Sequence, residues 1–227
     1  MADQLLAAVA TNPLLQSGFA SLDPQQLFYG PGGKTRVSVI NLAGLASDEA
    51  KQAFVNQLQM TLFTWIKQHP SPTGRLYVID EAQNFAPSGH VVASSASASA
   101  LAAQARKYGL GMIFATQHPK GIENRIVQNC MTHVYGRMNA PNTIEAIKGM
   151  MAAKGGAADN IGKLSTGEFY FTTAKYEHPM QLRTPLCLSW HPQNPPTAEE
   201  IVRKAQVCRR SMNAETSESQ ASSVAAE

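Results

Sequence analysis

Two rhythms of apolar and polar positions alternate along the chain, and each change of rhythm marks an element. Between residues 47 and 68, Phe54, Leu58, Leu62, Trp65 and Ile66 recur three or four residues apart, the period of one helix face. Ser47 is placed as the N-cap of that helix, with Asp48 and Glu49 in its first turn, where the helix dipole favours acids. His69-Pro-Ser-Pro-Thr-Gly74 ends it. Elsewhere the apolar residues come in short runs: Val37–Leu42, Leu76–Ile79 and Leu110–Ala115. Runs this short, rich in β-branched and aromatic side chains, predict strands buried on both faces, as in a parallel sheet.

The remaining stretches fill in the order. Residues 3–9 predict a short helix stopped near Asn12-Pro13, and residues 18–33 a loop. Ala93–Lys107 is Ala/Ser-rich and reads either as a flexible linker or as a helix; its second half favours helix, ending at Tyr108-Gly109. A short helix is expected over Ile122–Gln128, a further strand over His133–Arg137, and a helix from Pro141 to about Ala153. Glu168–Thr173 and Met180–Leu188 predict an antiparallel hairpin. Thr197, with Glu200 three residues on, forms a capping box for a last helix reaching about Arg210. The segment from Ser211 to Glu227, rich in Ser, Ala and Glu, is expected to be disordered. Strands alternating with helices give an α/β fold: a mostly parallel sheet flanked by helices, with a C-terminal antiparallel hairpin. The boundaries expected are 1–34 for an N-terminal helix and loop, 35–190 for the core, 191–210 for a C-terminal helix and 211–227 for a tail.

Composition narrows the picture only a little. A chain of 227 residues, 44% hydrophobic and 15% charged, fits one large α/β domain or two small ones. A net charge of +3 is too mild to be a nucleic-acid signature, and no basic cluster stands out. The three cysteines, Cys130, Cys187 and Cys208, have no metal-ligand spacing, which points to a reducing compartment and no zinc site. No run is long enough to span a membrane and no secretory leader is visible, so the expected location is the cytoplasm.

The chemistry gathers at strand ends. Leu76–Ile79 runs into Asp80 and Glu81, which places two acids at the carboxyl edge of a sheet, where open α/β folds bind ligands. This is the shape of a Walker B element: the first acid helps hold Mg²⁺ and the second orients the water that attacks a γ-phosphate. The plainer alternative is a strand that ends in a polar turn. One strand later, Thr116-Gln117 closes Leu110–Ala115, 36 residues after Glu81. A glutamine there can position the attacking water or contact the γ-phosphate. Arg106 and Lys107 sit at a helix end, where cations favour the dipole without any function; the alternative for Arg106 is an arginine finger offered to a neighbouring subunit. Arg137 is a weaker candidate of that kind. Gly30-Pro-Gly-Gly-Lys34-Thr35 tempts a phosphate-loop assignment, but Phe28 stands where the first glycine belongs and a strand, not a helix, is expected to follow. It reads as a Gly-rich turn. No G-x-S-x-G nucleophile elbow is present.

The segments Val37–Leu45, Leu76–Phe85, Arg106–Met112 and Ala115–Pro119 resemble, in that order, the C-terminal half of the HerA/FtsK-type DNA-translocating ATPases, and above all the HerA-like helicases and their conjugation-system relatives. Asn129–Arg137 and Leu164–Glu168 continue the likeness, which covers roughly residues 35–190. The resemblance implies a RecA-like P-loop core, ATP and Mg²⁺ as cofactors, and a homo-oligomeric, hexameric ring around DNA. It implies nucleotide-site roles for Asp80 (Mg²⁺), Glu81 (catalytic base), Thr116 and Gln117 (γ-phosphate sensor), with Arg106 as a finger acting in trans. It also implies a cytoplasmic setting and a possible nuclease partner. The family's Walker A lies N-terminal to everything matched, so the matched part is an incomplete P-loop NTPase core. Its phosphate loop is then expected on an upstream P-loop-containing half, and this chain alone is expected not to turn over. Two rivals stand beside this motor half: a catalytically inactive module that binds a motor ring or DNA, and an unrelated α/β hydrolase.

Overall fold

The computed structural model describes residues 23–189 and, beyond them, 194, 196, 197 and 199–207. The expected helix at 3–9 and the tail from Ser211 lie outside the described residues. The chain divides into two compact units: residues 47–187 belong to one, and the described parts of 21–46 and of the segment from Leu188 onward belong to the other.

In the larger unit, α2 (Asp48–Gln68) starts where Ser47 Oγ accepts a hydrogen bond from the Ala50 amide at 3.1 Å. It buries Val55, Leu58, Leu62 and Ile66 along one stripe. Strand β1 (Arg75–Ile79) pairs in parallel with β2 (Leu110–Phe114), Arg75 opposite Leu110 and Ile79 opposite Phe114. Between them runs α3 (Ser95–Gln104), so the whole of the Ser-rich stretch is helical from Ser95 onward. Small side chains are what this position needs. Ser95, Ser97 and Ala98 are buried, Ser97 Oγ donates to Gln59 Oε1 of α2 at 2.7 Å, and Ser94 Oγ donates to the Phe85 carbonyl at 2.7 Å. The sheet face carrying Ile79 packs against Ala82, Ala86, Ala98, Ile122 and Ile126.

Two expectations about the short apolar runs fail. β1 and β2 were expected to be covered on both faces, yet Leu76 is 57% exposed, Val78 54% and Ile113 48%. Nothing among the described residues covers that side. In the smaller unit, Val37–Leu42 joins no ladder, and Val37 is 89% exposed. An apolar run becomes a strand only where another strand offers its backbone groups, and none among the described residues does so.

After β2, α4 (Asn124–Asn129) leads to β3 (Thr132–Tyr135). This strand pairs antiparallel with β4 (Glu168–Thr173), which pairs antiparallel with β5 (Met180–Arg183). The hairpin is as expected, but β5 stops at Arg183 and Leu186 and Leu188 lie exposed. Helix α5 (Pro141–Ala152) packs Ile147 and Met151 with Tyr135, Ile161, Leu164 and Tyr170 into a second core cluster. The architecture is thus mixed α/β, with one parallel pair and one three-stranded antiparallel sheet. In the smaller unit lie α1 (Pro24–Phe28) and a helical stretch over 199–207. The capping box before the latter forms in both directions: Glu200 N donates to Thr197 Oγ1 at 3.3 Å and Thr197 N donates to Glu200 Oε2 at 3.0 Å.

Candidate active site

The parallel ladder does not stop at Ile79. Ala115 N donates to the Ile79 carbonyl at 2.9 Å, and Ala82 N donates to the Ala115 carbonyl at 2.9 Å. Two residues, Asp80 and Glu81, therefore bulge out between Ile79 and Ala82 at the carboxyl end of the sheet. The bulge turns through Glu81, whose φ of 47° and ψ of 48° are left-handed; it is the one non-glycine with positive φ among the described residues. That conformation costs an L-residue about 1–2 kcal/mol, and such strain gathers at functional positions.

The strained turn aims the Glu81 carboxylate at two amides. Gln117 Nε2 donates to Glu81 Oε1 at 2.6 Å, and Gln83 Nε2 donates to Glu81 Oε2 at 2.5 Å. Thr116 Oγ1 donates to Gln83 Oε1 at 2.6 Å, which fixes the Gln83 amide with its nitrogen toward Glu81. Thr116 Oγ1 also accepts from His118 N at 2.9 Å. Asp80 is exposed, and its Oδ1 accepts from Glu81 N at 3.0 Å. Gly121 makes room for Gln83: a Cβ there would lie 3.3 Å from Gln83 Cβ and 3.1 Å from His118 Cβ.

Four of the five expected site residues thus meet: Asp80, Glu81, Thr116 and Gln117. Arg106 does not join them. It precedes β2 while Gln117 follows it, so the length of a five-residue strand, roughly 16 Å, separates their backbones. Arg106 is exposed at the turn before β2, with Nη1 donating to Met131 Sδ at 3.1 Å. Gln83 is the residue the sequence reading missed. Its only signal was an amide two positions after paired acids, and its role depends on the left-handed turn at Glu81.

The donor set suits Mg²⁺ and does not suit a triphosphate. Mg²⁺ keeps most of its waters and is held by one or two carboxylates together with substrate phosphates. Asp80 offers one exposed carboxylate, and among the described residues no group of three or more His, Cys, Asp or Glu forms a closed metal cage. A phosphate chain needs converging backbone amides at a helix N-terminus. Residues Gly30–Thr35 do not supply them: they form a 3₁₀ turn over Pro31–Gly33, closed by Gly30 N donating to the Lys34 carbonyl at 2.7 Å, and the next helix starts only at Asp48. The gripping of a nucleotide therefore does not fit the described residues.

No protein-family model matches the chain and no curated protein matches it. Solved structures do. The genome packaging NTPase B204 from Sulfolobus turreted icosahedral virus 2, in complex with ATP-gammaS, is 19% identical; 60% of this chain and 65% of that one align, with a TM-score of 0.46. B204, the DNA-packaging ATPase from Sulfolobus turreted icosahedral virus, is 16% identical over 75% of this chain and 74% of that one, with a TM-score of 0.48. The pCW3 conjugation coupling protein TcpA, as a monomer with ATPgS, is 16% identical over 60% of this chain and 43% of that one, with a TM-score of 0.39. The chain thus spans about 65% of the length of the first of these. No helix among the described residues is long and apolar enough to cross a membrane.

Proposed function

We propose that this chain is the water-activating half of an ATP-hydrolysing motor that moves DNA. The observation that carries the reading is the clamp on Glu81: a strained residue whose two carboxylate oxygens are both held by glutamine amides, one of them just past the end of the neighbouring parallel strand. A polar turn with no function has no reason to carry that strain or to bring Gln117 to Glu81.

In this reading Asp80 is the residue that would hold Mg²⁺, and the ion would supply charge neutralisation at the phosphates. Glu81 orients and accepts a proton from the attacking water. Gln117, seated at the end of β2, exchanges its bond to Glu81 for one to water or γ-phosphate, while Gln83, fixed by Thr116, keeps the carboxylate aimed. Arg106 serves a neighbouring subunit's site in a ring, since its own strand places it at the far end from Glu81. The link to DNA, the ring and its hexameric state rest on the HerA/FtsK-type resemblance of residues 35–190.

A second reading, a module that binds a motor ring or DNA without turnover, draws on the mismatch between the described residues and a triphosphate. The two separate in one experiment. The full chain is assayed for Mg²⁺-dependent ATP hydrolysis alone and after mixing with a polypeptide that carries a strand, a phosphate-binding loop and a helix. The motor reading expects no turnover alone and turnover in the mixture. Nucleotide binding without turnover in the mixture would favour the inactive module. Arg106→Ala, mixed with chains competent at Arg106, is expected to lower turnover in proportion to its share of the ring.

A further inference from the structure

The carbonyls of the turn that Glu81 opens are held in two ways. The Glu81 carbonyl accepts from Asn84 N at 2.9 Å, and the Ala82 carbonyl accepts from Phe85 N at 3.1 Å and Ala86 N at 3.0 Å. The Ala86 carbonyl accepts from Glu123 N at 2.9 Å. These donors are main-chain groups, present whatever side chains the turn carries. The carbonyls of Asn84 and Phe85 depend on side chains instead. Gln52 Nε2 donates to the Asn84 carbonyl at 3.0 Å, and Ser94 Oγ donates to the Phe85 carbonyl at 2.7 Å.

These two donors come from separate elements. Gln52 lies near the start of α2, and Ser94, fully buried, is the residue before α3. Ala82 and Ala86 are each 1% exposed, so the turn itself is seated in the core. A left-handed glutamate persists only where its surroundings over-determine it. Freed of its ties, Glu81 would gain by returning to the extended or right-handed regions that an L-residue prefers. Its carboxylate would then leave the Gln83 and Gln117 amides that hold it. Pinning the carbonyls of two successive residues fixes the peptide planes of the turn and blocks that return.

We propose that Gln52 and Ser94 are positioning residues for Glu81: from α2 and from the start of α3, they keep the turn left-handed and the carboxylate on its two amides. Neither touches Glu81; both act through the turn's backbone. The positioning claim rests on geometry alone, and its consequence for turnover rests on the function proposed above.

The test uses the full chain, isotope-labelled, and reads solvent exchange of the Gln83 and Gln117 side-chain amides by NMR. Gln52→Met keeps the length of the side chain and removes the donor. It is expected to speed exchange of both amides at least about ten-fold while the backbone amides of β1 and β2 stay protected. Ser94→Ala is expected to do the same. Gln52→Lys, which restores a donor of sufficient reach, should return exchange toward the wild-type rate, and Gln57→Met, at an exposed position of α2, should leave it unchanged. Wild-type exchange in Gln52→Met, or equal acceleration in Gln57→Met, would overturn the proposal, and Gln52→Met decides it even where Ser94→Ala fails to fold. In the mixture with the strand–loop–helix polypeptide, Gln52→Met should lower kcat at least about ten-fold with KM for ATP unchanged, since misplaced catalytic groups cost rate. A raised KM with kcat intact would overturn it too. If the wild-type mixture does not turn over, the motor reading fails, and amide exchange in the chain alone still decides the positioning role.

Discussion

Gly109 links α3 to β2 and sets where β2 begins, so its substitution reaches the candidate site through register. Its φ is 76°, and a Cβ there would lie 2.0 Å from the carbonyl oxygen of Ser71. Gly74 has nearly the same φ, 83°, but its nearest neighbour would be 3.9 Å away. The pair separates two costs. Alanine in the left-handed region loses about 1 kcal/mol relative to glycine. At Gly109 the obstacle is backbone and cannot swing aside, which adds an overpacking cost of about 1–3 kcal/mol. Gly74→Ala is therefore expected to lower stability by about 1 kcal/mol and Gly109→Ala by about 2–4 kcal/mol. Urea unfolding of the full chain reads both, with the slopes compared to confirm that the unfolded states match. Equal losses in the two variants would refute the account, because they would mean that Ser71 does not press on Gly109 and that β2 is not seated by that contact.

Leu101 is fully buried at the centre of α3, so Leu101→Ala is expected to cost about 2–5 kcal/mol in the same unfolding assay. Ser97→Ala takes the donor from the buried Gln59 Oε1 and should cost about 1–3 kcal/mol, more than Ser→Ala at an exposed helix position. Burial lowers the His133 pKa below its ordinary value, with Lys154 adding to the effect and the bond to the Cys130 carbonyl opposing it. The unfolded chain then binds more protons in that range, so this contribution is complete above about pH 6.5 and fades as pH falls through the folded-state value. Thermal melts across that interval should show the loss in wild type and a flatter profile in His133→Gln.

Local signals survived folding where the chemistry was local. The Ser47 cap, the Thr197–Glu200 box, the strand before Asp80 and the one before Gln117 all stand where periodicity and capping chemistry put them. The Ser-rich stretch 93–107 was harder to read. Its helix depends on serines that bond Gln59 and Glu123, contacts invisible to propensity. Gln83 was missed because it depends on the left-handed turn at Glu81, a conformation no sequence pattern announces for glutamate. Val37–Leu42 and the bare face at Leu76, Val78 and Ile113 show the reverse case. Their apolar pattern specifies burial, but burial needs a second surface, and the described residues do not include one.

Glu81 is assigned the orientation of the attacking water. The most direct measurement compares wild type and Glu81→Gln, each mixed with the strand–loop–helix polypeptide, for nucleotide binding and for steady-state ATP hydrolysis. Glutamine keeps the size of the side chain and removes its ability to take a proton. Nucleotide affinity is expected to stay unchanged while turnover falls by at least about a hundred-fold, the scale of general base catalysis. Turnover retained in Glu81→Gln, with affinity intact, would contradict it.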